Sequence, residues 1–213
     1  MTSVRGVVVV AHGGREVSTT PNTAVHPAVL RMIPLAAAIG RAVQGRDVVV
    51  RRPRFRLRGW NGTQASPVGD LTEVLDGIRS EFGPVPVVLV GHSMGARAAM
   101  RAAGHPSVSA AAGLASWLPP GEPVDQLAGR RILFAHGTAD TITRPAETWA
   151  YADRAQAVTS VTEIEVRDGE HTMLRRAALW HALAATFACV SLGLPSPPGP
   201  AAGALASPRR TTL

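Results

Sequence analysis

The sequence predicts an α/β fold, in which one parallel sheet is covered by helices on both faces. Three observations carry that expectation. The apolar runs at residues 7–11 and 85–90 are continuous rather than alternating, as in strands buried on both faces. Other segments carry apolar residues at helical spacing, such as Met32, Leu35, Ile39 and Val43. Strand and helix patterns then alternate along the chain, which implies crossover connections and parallel strands.

In order, residues 7–11 read as a strand ending at His12-Gly13-Gly14, and 15–27 as a polar, turn-rich loop. Residues 28–43 read as a helix ended by Gly45, and 47–57 as a second strand broken near Pro53. A loop at 60–67 leads to a helix at 68–82. The strand at 85–90 runs straight into Gly91-His92-Ser93-Met94-Gly95 and an Ala-rich helix to about residue 103. Strands at 108–115, 131–135 and 161–166 and helices at 144–155 and 173–190 complete the pattern. The folded domain is expected to span residues 1–192. From Pro195 the composition turns to Pro, Ala and Gly, so 193–213 is expected to be a disordered tail.

Composition narrows the function classes. Aromatic residues make up only 4 %, so the core must rest on Ala, Val and Leu. The net charge of +7 would suit nucleic acid or an anionic membrane. All 22 basic residues are Arg, however, and they are spread along the chain, which reads as GC-rich codon usage rather than a binding surface. Arg52, Arg54, Arg56 and Arg58 are the exception, at period two beside Pro53; they mark an edge strand protected against pairing. The single cysteine, Cys189, excludes an internal disulfide or cysteine cluster and reads as a buried apolar side chain. No segment approaches the roughly 18 apolar residues of a membrane helix, and the N-terminal apolar run is short for a signal peptide. The expectation is a soluble cytoplasmic protein, monomer or homodimer, with no nucleic-acid or membrane partner.

The chemistry centres on Ser93. A serine hydroxyl becomes a nucleophile only when exposed at a sharp turn within reach of a base. Glycines on both sides permit a cramped strand-to-helix turn, and the helix N-terminus favours developing negative charge. The base and its orienting acid are sought downstream, at the ends of later strands. Asp140 follows the strand at 131–135, and His171 follows the one at 161–166. His171 would accept the Ser93 proton, and Asp140 would fix the imidazole tautomer. Asp168 and Glu170 are weaker rival acids on the His171 loop itself.

His12-Gly13-Gly14 follows the first strand, where an oxyanion N–H is supplied in such sites. The expected donors are the backbone N–H groups of Gly14 and Met94. His12 is assigned to shaping the turn, not to proton transfer. Gly13, Arg15, Trp60 and Trp117 fall in loops at the same rim and are the candidate substrate-binding residues. His92, His105, His136 and His181 lack metal-ligand spacing, and neither a phosphate loop nor a dinucleotide fingerprint is present, so no metal or cofactor is expected.

The motifs Ala11-His12-Gly13-Gly14, Gly91-His92-Ser93-Met94-Gly95, His136-Gly137-Thr138-Ala139-Asp140 and Gly169-Glu170-His171 together resemble the α/β-hydrolase superfamily, from about residue 7 to 192. Within it the chain looks most like small dienelactone-hydrolase-like and lysophospholipase-like esterases of actinobacterial type. The resemblance implies a three-layer fold and a Ser93-Asp140-His171 triad acting on a small-molecule carboxylic ester or thioester. Two departures are visible. The strand carrying His-Gly comes first, where relatives usually have two before it, so six strands in the order 2-1-3-4-5-6 are expected. The segment from Ser116 to Pro123 is a short proline-rich loop where many relatives insert a cap, so the site is expected to be open. A scaffold that hydrolyses nothing, such as a cyclase, an acyltransferase or a ligand-binding protein, is the alternative the fold leaves open.

Overall fold

A computed structural model of the chain describes residues 4–207 and 210–213. Its first strand, β1 (Gly6–Ala11), is buried throughout and shows how the three layers form. Side chains alternate across a strand. Val7 and Val9 join one apolar cluster, and Val8 and Val10 join another on the opposite face. Strands β2 (Val48–Arg51), β3 (Val87–His92), β4 (Val108–Leu114), β5 (Arg131–Gly137) and β6 (Ser160–Val166) are all parallel to their neighbours. Helices α3 (Ser66–Phe82), α4 (Met94–Ala102) and α5 (Pro145–Ala155) supply Leu71, Leu75, Ala98 and Tyr151 to the first face. Helices α2 (Met32–Ala42) and α6 (Ala177–Ser191) supply Leu35, Ile39, Trp180 and Phe187 to the other. A short helix, α1 (Pro27–Leu30), precedes α2, and Arg31 divides what was expected to be one helix. Pro34 explains the break. It lacks the N–H that would bond Leu30, and its ring crowds that carbonyl.

The sheet order is β2-β1-β3-β4-β5-β6-β7, so the expected order holds with one strand added. The seventh strand, β7 (Thr211–Thr212), lies where a disordered tail was expected, and α7 (Pro200–Leu205) precedes it. Two physical reasons correct that expectation. Alanine is the best helix former, and Ala201 and Ala204 are small enough to bury against the Ala-rich side of α6. Arg210 pairs with Glu163 of β6 at 2.6 Å and stacks on Trp149 at 4.4 Å. Arg176 Nη1 donates to the Leu213 carbonyl at 2.9 Å. These anchors come from residues that composition alone treats as tail.

Strand β2 is an edge strand, as expected, but it ends at Arg51 rather than at residue 57, so Arg52, Arg54, Arg56 and Arg58 lie beyond it and do not form a row along its edge. Beyond Pro53 the backbone finds partners outside the sheet. The Phe55 N–H donates to His12 Nε2 at 3.0 Å and the Arg56 N–H to Asp70 Oδ2 at 2.7 Å. Arg52 and Arg54 are exposed, whereas the Arg56 guanidinium pairs with Asp70 and Glu73. Among the described residues no helix is long and apolar enough to cross a membrane.

Between β4 and β5 the chain forms loops and a single short 3₁₀ helix (Asp125–Leu127), with no cap domain. Glu122 fastens this loop to the body. Its buried carboxylate accepts from Arg97 Nη2 and Nε at 2.5 and 2.7 Å, and from Arg101 Nε and Nη2 at 2.7 and 3.1 Å. Burial alone would raise the Glu122 pKa, but the hydrogen bonds from Arg101 and Arg97 outweigh it and hold the carboxyl below its usual range. A depressed carboxyl stabilises the fold above its unfolded pKa and loses that contribution as the pH falls through the folded value. Glu122→Gln is therefore expected to lose about 2–3 kcal/mol at pH 7, because it strands two guanidinium groups. Urea denaturation should show the gap between variant and wild type narrowing below about pH 4. An equal gap at pH 3 and pH 7 would contradict this account.

Candidate active site

β3 delivers Ser93 at its C-terminal end, immediately before α4. The serine adopts φ 55° and ψ −119°, a strained conformation for a residue with a side chain. Close packing imposes it. A Cβ at Gly91 would lie 2.3 Å from the Gly95 carbonyl oxygen, and one at Gly95 would lie 2.5 Å from those of Ala11 and His12. The first turn of α4 thus presses on β1 and β3, which only glycines allow, and Ser93 is left at the apex.

The other two residues arrive from the ends of β5 and β6. His171 Nε2 lies 3.1 Å from Ser93 Oγ, and His171 Nδ1 lies 2.8 Å from Asp140 Oδ2. A proton on Nδ1, donated to the carboxylate, leaves Nε2 free to accept from the serine. Asp140 is buried. Its Oδ1 accepts the Ile142 and Thr143 N–H groups at 2.8 and 3.0 Å, so it is also the capping residue of its own turn. Burial would raise its pKa, but hydrogen bonds from His136, His171 and the Thr143 N–H hold it well below the usual carboxylate range. The rival acids are elsewhere. Asp168 is exposed, and Glu170 turns back to accept from the Thr172, Leu174 and Arg175 N–H groups at 3.0, 2.7 and 2.9 Å.

Two further histidines have structural duties. His92 Nε2 donates to the His171 carbonyl at 2.8 Å and so supports the base from below. Burial, with the neighbouring His171, pushes its pKa down to about 3, so its ring is neutral. His12 Nδ1 donates to the Gly13 carbonyl at 2.6 Å, and its Nε2 accepts from Phe55. Burial lowers its pKa to about 4, in keeping with a turn-shaping role.

Gly13 and Gly14 lie against the serine turn. A Cβ on Gly13 would meet that of Ser93 at 3.3 Å, and one on Gly14 would meet Met94 Cε at 2.3 Å. The Trp117 N–H donates to the Ser93 carbonyl at 3.3 Å. Trp60 packs edge-on against Trp117, with ring centroids 6.1 Å apart. The Arg97 guanidinium lies over both rings, at 3.9 and 4.4 Å. The two indoles border a cleft of about 550 Å³ with Glu16, Val17, Arg97 and Arg101. Trp60 itself is 2 % exposed and forms a wall more than a contact surface. Arg15 is exposed and stays out of the cleft lining, which its neighbours Glu16 and Val17 enter. A second, more apolar cleft of about 430 Å³ begins one residue past His171, bordered by Pro27, Leu30, Met173 and Leu174.

Four contributors were not anticipated from the sequence: His136 and Thr143 around Asp140, and Arg97 and Glu122 beside the indoles. His136 lies four residues before Asp140 at a strand end, which was the available signal. Arg97 and Arg101 are one helical turn apart, four residues beyond Ser93, but their shared carboxylate is remote in sequence.

Comparison with known proteins bears on the family and the fold. Residues 8–213 match the model of the alpha/beta hydrolase family. A search of curated proteins finds no match. Among solved structures, a lidless serine hydrolase from Xanthomonas campestris is similar at 19 % identity and a TM-score of 0.62, with 92 % of this chain and 86 % of that one covered. Est1E from Butyrivibrio proteoclasticus is similar at 12 % identity and a TM-score of 0.66, with 90 % and 89 % covered. A monoacylglycerol lipase from Paleococcus ferrophilus is similar at 17 % identity and a TM-score of 0.60, with 86 % and 94 % covered. At these identities the likeness speaks for the fold.

Proposed function

The chain belongs to the α/β-hydrolase family, and from that premise we propose that it is a serine hydrolase cleaving a carboxylic ester or thioester through an acyl-enzyme on Ser93. The observation that carries this reading is the unbroken run of hydrogen bonds from Ser93 Oγ through His171 to Asp140, at 3.1 and 2.8 Å. The substrate is a small molecule, and the enzyme acts in the cytoplasm.

In the first step the Ser93 Oγ–H proton passes to His171 Nε2 while Oγ attacks the acyl carbon. The carbonyl oxygen becomes an oxyanion, held by the backbone N–H groups of Met94 and Gly14. Such a donor is worth about 3–4 kcal/mol in the transition state. Asp140 stabilises the imidazolium that forms. His171 then gives the proton to the leaving oxygen or sulfur, and the alcohol or thiol departs. Water enters and loses a proton to His171, and its oxygen attacks the acyl carbon. Return of that proton to Ser93 Oγ frees the carboxylic acid. The capless rim, with clefts of about 430 and 550 Å³ among its loops, suits modest groups more than a sequestered long chain.

A fluorophosphonate probe, which phosphonylates activated serines, tests the reading. Wild type and Ser66→Ala should be labelled, and Ser93→Ala should not. An unlabelled wild type would refute it, as would label on Ser93→Ala. A panel of nitrophenyl esters and thioesters of increasing chain length then assigns the acyl group.

A further inference from the structure

Asp140 Oδ2 has more donors than it needs. Besides His171 Nδ1 at 2.8 Å, it faces the Thr143 hydroxyl at 2.9 Å and His136 Nε2 at 3.1 Å. A carboxylate oxygen offers about two lone-pair directions, so three donors compete for them. The proton path proposed above uses only the first.

His136 is fully buried at the end of β5 and does not touch Ser93 or a cleft. Its orientation is fixed from behind. Nδ1 lies 2.8 Å from the hydroxyl of buried Thr148 in the first turn of α5, and the Trp149 ring stands edge-on at 6.1 Å. Asp140 is an acceptor-only carboxylate, so the ring proton sits on Nε2 and points at it; the Thr148 hydroxyl then donates to Nδ1 at 2.8 Å in preference to the Ser116 carbonyl at 3.5 Å. The geometry points to His136 as a positioning residue that restrains the acid of the site: its N–H holds part of the Oδ2 charge away from His171. The catalytic consequence rests on the hydrolase reading, whereas the restraint itself does not.

The restraint sets how strongly Asp140 favours a protonated His171. The competing N–H draws on the same oxygen that would stabilise the imidazolium, so it weakens the carboxylate's hold on the ring. Other groups facing His171 are few. Thr143 Oγ1 lies 3.1 Å from its Nδ1, and the neutral His92 ring from β3 lies 5.0 Å away. Arg31, at the junction of α1 and α2, acts on His92. Around His136 the polar neighbours are Asp140, Thr148 and, at 3.4 Å, Thr143 Oγ1.

The test compares His136→Phe, which keeps a ring but removes the donor, with His136→Gln, which keeps an N–H donor at similar reach. The readout is the His171 protonation midpoint, followed by ¹⁵N imidazole NMR across pH in the full chain. The acid limb of kcat/KM for a nitrophenyl ester is followed alongside it. For His136→Phe both should move up by about half to one pH unit, as loss of one competing hydrogen bond implies. His136→Gln should recover most of that shift. Thr148→Val, which releases the ring from its tautomer, should move the midpoint in the same direction by less. A folded His136→Phe with an unmoved midpoint overturns the proposal. So does a His136→Gln that moves as far as the phenylalanine variant. If His136→Phe does not fold, Thr148→Val decides, and an unmoved midpoint there counts against the restraint. The NMR midpoint needs no turnover, so an absence of fluorophosphonate labelling would sink the hydrolase reading and leave this result standing on its own.

Discussion

Ser93→Ala is expected to lower kcat toward a nitrophenyl ester about 10⁶-fold, with KM nearly unchanged. The size of the loss follows from the geometry. His171 Nε2 and the N–H groups of Gly14 and Met94 remain, but the oxygen proposed to bond the acyl carbon is gone. What survives is attack by water, aided by the remaining polarising groups. The substitution leaves the residues bordering the indole-lined cleft unchanged, so binding there is expected to persist. Stopped-flow measurement should also lose its acyl-enzyme burst. A loss smaller than about a hundredfold would mean another nucleophile.

Asp140→Asn is expected to cost about 10⁴ in kcat, the scale seen when an orienting acid is neutralised without change of shape. An amide facing His171 no longer demands a proton on Nδ1. The imidazole can carry its proton on Nε2, and the serine then meets a donor instead of an acceptor. The other donors make this site harsher than most. His136 and Thr143 also point at Oδ2, and the Ile142 and Thr143 N–H groups point at Oδ1. An NH₂ in place of either oxygen meets at least one of them head-on. The depressed Asp140 carboxyl stabilises the fold above its unfolded pKa near 4 and loses that contribution only as the pH falls through its lower folded value. The asparagine variant should accordingly melt below wild type at pH 7. Equal melting temperatures, or retention of a tenth of the activity, would contradict the arrangement.

What the sequence disclosed and what it hid divide along physical lines. Ser93, Asp140 and His171 could be read because each sits just past a strand end, and parallel strands bring such positions to one rim. The edge position of β2 was expected, although the arginines at 52, 54, 56 and 58 that suggested it lie beyond the strand. The early end of β2 could not be read, because it depends on His12 and Asp70 capturing the Phe55 and Arg56 N–H groups, contacts across 43 and 14 residues. The last helix and strand were hidden for another reason. Composition says how much apolar area a segment carries, but not that α6 offers an Ala-rich face and β6 a carboxylate, Glu163, ready for them. His136 could not be read because a histidine that serves a carboxylate leaves no metal-ligand spacing, and its partners Asp140 and Thr148 become neighbours only once the turn after β5 is folded.

The acid and the base reach their positions on separate loops, and those loops meet at glycine. A Cβ on Gly137 would lie 2.1 Å from the Gly169 carbonyl oxygen. The Ala139 N–H donates to that same oxygen at 3.0 Å, and the Asp168 N–H to Thr138 Oγ1 at 2.9 Å. The two loops are therefore one mechanical part, with no shim of even a methyl group's thickness between them. Anyone regrafting this rim for a new substrate must transplant both loops together or neither.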